Sequence, residues 1–223
     1  TLLRICQSAI AAVHGHERVR AYLQQYPVSA PVFLLSIGKA ACAMAQGAHE
    51  VLGTHIIDAL VVTKQGHAES LPWPVLEAGH PLPDEQSLAA GQRLLDFAAA
   101  IPPDATVLVL LSGGASALVE ALPEGMDLTQ LRALNDWLLA SGLDIVAMNR
   151  IRKRLSRIKG GRLARLLAPR TVLCLAISDV PGDDPRAIGS GPLVADSSLQ
   201  SVSDTTGLPA IVAEALRHSP PAP

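Results

Sequence analysis

Aromatic residues are nearly missing from this chain: two Trp, two Tyr and two Phe, 3% of 223 residues. Without rings, the core has to be aliphatic. The 49% of residues that are apolar suit buried strands of Val, Leu and Ile between helices rich in Ala and Leu. An excess of charge of one sign is missing too. The formal net charge of −2 argues against a nucleic-acid surface driven by positive charge. No apolar run approaches the about 20 residues of a membrane span. Thr1-Leu2-Leu3-Arg4 lacks the basic start and apolar run of a signal peptide. The three cysteines, Cys6, Cys42 and Cys174, have no metal-ligand or redox spacing. Each falls in an apolar segment and is expected to be a buried, reduced thiol, which fits a cytoplasmic location. Neither G-x-x-x-x-G-K-[ST] nor G-x-G-x-x-G after a strand occurs, so any nucleotide has to be held by other means.

What the chain does have is three apolar runs that each reach a serine and a turn. They are Phe33-Leu34-Leu35-Ser36-Ile37-Gly38-Lys39, Val107-Leu108-Val109-Leu110-Leu111-Ser112-Gly113-Gly114-Ala115-Ser116 and Val172-Leu173-Cys174-Leu175-Ala176-Ile177-Ser178-Asp179. Continuous aliphatic runs are the pattern of buried parallel strands. Strands are predicted over 32–37, 58–63, 74–78, 106–111 and 171–177. Helices are predicted over 1–25, 39–52, 84–100, 112–122, 127–140, 144–158, 161–167 and 209–217. Alternation of this kind predicts an α/β fold, a three-layer α/β/α arrangement with a mostly parallel, Rossmann-like sheet, with 1–223 as a single domain.

In an open parallel sheet, ligands bind beyond the carboxyl ends of the strands. The serines, glycines, Lys39 and Asp179 would gather there as an anion site with a metal-capable carboxylate. The Ser112–Ser116 turn could aim backbone N–H groups at an anion, or could be only a tight capped turn. Lys39 at a helix start is locally unfavourable, which calls for a bound anion unless the side chain is simply solvated. Asp179, directly at a strand end, reads as a Mg²⁺ ligand or as a turn residue, with the first favoured, whereas Asp183 and Asp184 read as turn residues. Asn149, Arg152 and Ser156 can share one helix face in a basic stretch that continues to Lys159-Gly160-Gly161. That stretch is either a clamp for a triphosphate or a carboxylate, or a solvated basic face. His80 is either a base or a loop histidine.

Taken together, these segments resemble the N-terminal domain of the glycerate 2-kinase family. The matching pieces are Ile37-Gly38-Lys39-Ala40-Ala41 with Met44-Ala45, Val61-Val62-Thr63-Lys64 with Gly66-His67, and Ala78-Gly79-His80-Pro81 with Pro83-Asp84-Glu85. They continue with Leu111-Ser112-Gly113-Gly114 and Ser116-Ala117, Asn149 with Arg152-Lys153, Leu155-Ser156, and Ile158-Lys159-Gly160-Gly161. The last are Ile177-Ser178-Asp179-Val180 with Gly182-Asp183, and Ser190-Gly191-Pro192. The resemblance implies ATP-dependent phosphorylation of the 2-hydroxyl of D-glycerate to 2-phosphoglycerate, with Mg²⁺. Lys39 and Asp179 would be catalytic, Asp179 also binding the metal. Substrate or nucleotide would be held by Ser36, Gly38, Ser112, Gly113, Gly114, Ser116, Asn149, Arg152, Lys153, Lys159, Gly160, Gly161, Ser190 and Gly191. Family members carry a C-terminal catalytic domain on the same polypeptide, which this sequence does not contain, and Ser198 to Pro209 is shorter than the family's inter-domain region. Members are also labelled hydroxypyruvate reductases. The alternatives are therefore such an oxidoreductase, or a non-catalytic fragment that binds a small acid or nucleotide. No nucleic-acid or membrane partner is expected, and a homodimer is left open.

Overall fold

The computed structural model describes residues 2–201, 210–217 and 219. Its sheet contains β1 (Val32–Ile37), β2 (Ile56–Lys64), β3 (Val75–Ala78), β4 (Thr106–Leu111) and β5 (Thr171–Ala176). The strand order is β3-β2-β1-β4-β5, and every pairing is parallel. The helices are α1 (Leu2–Ala12), α2 (Gly15–Gln25), α3 (Ala41–Leu52), α4 (Glu85–Ala100), α5 (Ala115–Leu118), α6 (Leu128–Ala140), α7 (Ile145–Arg154), α8 (Arg162–Leu167) and α9 (Ala210–Arg217). The expected α/β class and parallel sheet are both present.

β4 lies between β1 and the edge strand β5 and is buried at every position, which explains its unbroken Val/Leu run. One face of the sheet packs Leu34, Leu108 and Leu110 against Val19, Leu23, Met44 and Ala48 of α2 and α3. The other packs Leu35, Val107 and Val109 against Leu94 and Phe97 of α4 and Leu163 and Leu167 of α8. Each fully buried leucine contributes roughly 1.5–3 kcal/mol relative to exposure, so aliphatic side chains suffice without aromatic mass. Register keeps the strand ends level: Ile37 pairs with Leu111, and Leu111 with Ala176. The turns after β1, β4 and β5 therefore meet on one edge.

The start of α4 follows its sequence signal. Asp84 Oδ1 accepts the Ser87 backbone N–H at 2.9 Å, and Ser87 Oγ accepts the Asp84 N–H at 3.0 Å. Burial pushes the Asp84 carboxyl up, but backbone N–H groups of Gly79 and Ser87 outweigh it and hold the group below its ordinary value. Asp84→Ala is expected to lower the unfolding free energy by about 1 kcal/mol at neutral pH. A carboxylate with a lowered folded pKa stabilises above its unfolded pKa and loses that contribution as pH falls through the folded one. Urea titrations should therefore show the two proteins converging in acid. A gap that stays constant down to the acid limit would exclude the cap charge as the cause.

Several elements differ from expectation. The helix predicted over 1–25 is two helices, with His14 extended between them. Gly15 seats against Met44, where a Cβ would lie 2.8 Å from Met44 Cγ, and this contact fixes α2 on α3 independently of α1. α1 buries none of its residues. Cys6 and Cys174 are exposed, and only Cys42 is buried, against the expectation of three buried thiols. Cys174 is exposed because β5 is an edge strand. The helix beginning near Lys39 starts at Ala41. The helix over 112–122 shrinks to the single turn of α5, and that over 144–158 ends at Arg154. Ser156 Oγ accepts the N–H groups of Ile158 and Lys159, a local alternative to further helix. Most of the stretch expected to be shortened, residues 202–209, lies outside the described residues.

Candidate active site at the carboxyl edge of the sheet

The turns after β1 and β4 are stitched together by backbone. Ser112 N–H donates to Ile37 O at 3.0 Å, Lys39 N–H to Gly113 O at 3.0 Å, and Ala40 N–H to Ser112 Oγ at 3.0 Å. Gly38 has φ +132°, and a Cβ there would lie 2.2 Å from Ser112 Oγ, so only glycine lets the two turns meet. The turn after β5 joins through Ile177 N–H to Leu111 O at 2.9 Å. It brings the Asp179 carboxylate so close to Gly113 that a Cβ there would sit 2.3 Å from Oδ2. The Lys39 ammonium stands 3.9 Å from Asp179 Oδ2, both side chains being substantially exposed. His80, from the loop after β3, reaches the same place: a Cβ on Gly114 would lie 3.0 Å from its Cδ2 and 3.3 Å from Lys39 Cγ. Partial burial first, then the charges of Lys39 and Lys64, hold the His80 imidazole below its ordinary value. It is therefore neutral at pH 7.

Beside this edge opens a cavity of about 320 Å³. His80, Gly114, Ser116, Asn149, Arg152 and Ser190 are among its walls. The Ser116 and Ser190 hydroxyls are hydrogen bonded at 2.8 Å. Lys159 also reaches the wall, but its ammonium is taken by Glu120 Oε2 at 2.5 Å and by the Ser116 carbonyl at 2.8 Å. Lys159 and Glu120 are both buried.

Not every candidate meets the cavity. Ser36 is wholly buried and donates to the Ala41 carbonyl at 2.8 Å, so its hydroxyl serves the start of α3. Ser112 is buried and accepts from Ala40. Gly38 acts by letting the turns pack. Lys153 is buried, bonded to Asp196 Oδ2 and the Arg186 carbonyl, each at 2.8 Å. The Gly160 and Gly161 N–H groups donate to Ser190 O at 3.1 Å and Gly191 O at 2.8 Å. These four residues join two loops and leave no amide of Gly160 or Gly161 for an anion. α5 is only one turn long, so an anion at this turn would meet its backbone N–H groups rather than the field of a long helix.

Two polar wall residues escape the sequence reading. Asn135 of α6 accepts from Arg152 Nε at 2.9 Å, and nothing in its surroundings marks it. Glu120 carried a signal: it is the one charge in Ala117-Leu118-Val119-Glu120-Ala121-Leu122. A carboxylate in such a run, if buried, needs a partner.

A family model described as "Domain of unknown function (DUF4147)" matches residues 1–212. A D-glycerate 2-kinase of Thermotoga maritima is 41% identical over 198 residues, 88% of this chain and 47% of that protein. A protein of Agrobacterium vitis, provisionally named a hydroxypyruvate reductase, is 45% identical over 166 residues, 74% of this chain and 43% of its own. The crystal structure of a glycerate kinase from T. maritima superposes with a TM-score of 0.89 at 37% identity, covering 100% of this chain and 55% of that one. The chain thus spans about half the length of the curated relatives it matches.

Proposed function

This chain belongs to the DUF4147 family, and from that premise we propose that it supplies the substrate- and nucleotide-binding half of a glycerate 2-kinase. The reaction moves the γ-phosphoryl group of ATP to the 2-hydroxyl of D-glycerate. The observation that carries this reading is the convergence of Lys39, His80 and Asp179 on two glycines whose missing side chains make room for them.

Phosphoryl transfer needs positioning and charge neutralisation more than covalent chemistry. Lys39 holds a compact positive charge beside Gly114 of the cavity wall, where phosphate oxygens would gain charge in the transition state. Gly113 and Gly114 let a phosphate approach the backbone. His80 is neutral and can accept the hydroxyl proton at a ring nitrogen. Ser116, Asn149, Arg152 and Ser190 line the space for the acid. Asp179 is an exposed carboxylate with Lys39 as its nearest charge, and no cluster of three His, Cys, Asp or Glu suited to a metal occurs among the described residues. That donor set fits Mg²⁺ shared with phosphates and water rather than caged by protein. When bound, Mg²⁺ would neutralise phosphate charge. The family's C-terminal domain on the same polypeptide is the proposed partner, and a homodimer stays open. Among the described residues no helix is long and apolar enough to cross a membrane. Free cysteines suit a reducing compartment such as the cytoplasm.

Calorimetry tests the ligand class. MgATP and D-glycerate are expected to bind and NADH is not. Tight NADH binding with none for MgATP would replace the kinase by the oxidoreductase reading.

A further inference from the structure

Arg152 is a half-buried guanidinium with no acidic partner among the described residues. Desolvation lowers its pKa, yet a guanidinium stays charged at any working pH. Two side-chain carbonyls hold it: Asn135 Oδ1 accepts from Nε at 2.9 Å and Asn149 Oδ1 from Nη1 at 3.4 Å. Neither brings a negative charge. The remaining N–H donors at the outer end of the fork have no acceptor among the described residues.

The charge of the cavity wall can be counted. Lys159 and Glu120 cancel as a buried pair, and His80 is neutral. Arg152 is the one positive charge left over among the lining residues. Leu82, Ala117, Leu131, Leu134 and Leu155 form much of the rest of the wall. In this mixed wall a single uncompensated positive charge matches a monoanion and suits a multiply charged triphosphate poorly.

We propose that Arg152 is the carboxylate anchor for the hydroxy acid, and that Asn135 is a positioning residue which holds Nε so that the free end of the fork meets the carboxylate. The inference rests on the kinase reading for the identity of the acid. It divides the site in two: a monoanion pocket around Arg152, and a phosphate edge at Lys39 and Gly113. The Ser116 and Ser190 hydroxyls stand on the pocket wall, in place for the hydroxyls of the acid.

Asn135→Asp tests this directly. It keeps an oxygen against Nε but adds an internal carboxylate that competes for the guanidinium, and a charge pair replaces a neutral contact, so folding is retained. Titration calorimetry on the chain would use three probes: D-glycerate, its carboxamide D-glyceramide, and MgATP. For Asn135→Asp, D-glycerate affinity is expected to fall about 10- to 100-fold, the span of a lost charge-assisted hydrogen bond. MgATP affinity should be unchanged, and the preference for acid over amide should vanish. Asn135→Ser, which keeps a neutral acceptor, should keep most of that preference. If Asn135→Asp weakens MgATP instead, Arg152 serves the phosphates and the assignment is overturned. Binding of MgATP without D-glycerate by the parent also overturns it. Acid-over-amide binding by a parent that ignores MgATP would sink the kinase reading while supporting the anchor, and binding of neither ligand would sink both.

Discussion

Lys39→Ala is expected to cut phosphorylation of D-glycerate by about 100- to 1,000-fold, the cost of removing one preorganised group that stabilises transition-state charge. The thermal midpoint should move by no more than about 3 °C, since the one ion pair lost is surface-exposed and worth about 1 kcal/mol at most. The pair with Asp179 is 3.9 Å long, and the Lys39 side chain is 45% exposed. Lys39 is thus poorly placed to hold the fold and well placed to meet a ligand between itself, Gly113 and Asp179. Lys39→Arg should recover little, because a planar fork does not fill the place of a compact ammonium. Steady-state kinetics with both substrates saturating checks this. Near-parental turnover in Lys39→Ala would remove Lys39 from the chemistry and leave the lysine as a solvated edge residue.

The strand pattern was legible because β1 and β4, buried along nearly their whole length, leave a plain aliphatic signature, and β5 carries a similar run although it is a largely exposed edge strand. The gathering of Lys39, Gly113, Gly114 and Asp179 was legible for the same reason: each directly follows one of three such runs. The direction in which a hydroxyl turns was not legible. Ser36, Ser112 and Ser116 look alike in sequence, yet two serve the joined turns and the third lines the cavity. Nor was the fate of each cation. Lys153 and Lys159 sit in the same basic stretch as Arg152, but acids far along the chain, Asp196 and Glu120, neutralise them. The break between α1 and α2 was hidden because helical periodicity runs on through Val13 and His14. What divides the helix is a tertiary contact, Gly15 on Met44.

The buried pair of Glu120 and Lys159 gives the largest expected stability effect. Both side chains are at most 5% exposed, and the pair joins residues 39 apart in sequence. Glu120 Oε1 is also occupied, accepting the Ala121 N–H at 3.0 Å, and Lys159 holds the Ser116 carbonyl. Removing one partner leaves the other charged in a low-dielectric place. Glu120→Leu or Lys159→Met is therefore expected to lower the unfolding free energy by about 3–5 kcal/mol. That is a large share of the roughly 5–15 kcal/mol by which a protein is stable. The double replacement should regain most of the loss, because desolvating both ions costs about as much as their attraction returns. Urea unfolding of the four proteins gives the cycle. The double variant should nevertheless bind D-glycerate less well than the parent, since the Ser116 carbonyl loses its donor and the turn that carries the Ser116 hydroxyl loosens. Single variants within about 1 kcal/mol of the parent would mean that water reaches the pair, in the manner of an exposed ion pair. Lys159 would then return as a charge free to meet a ligand.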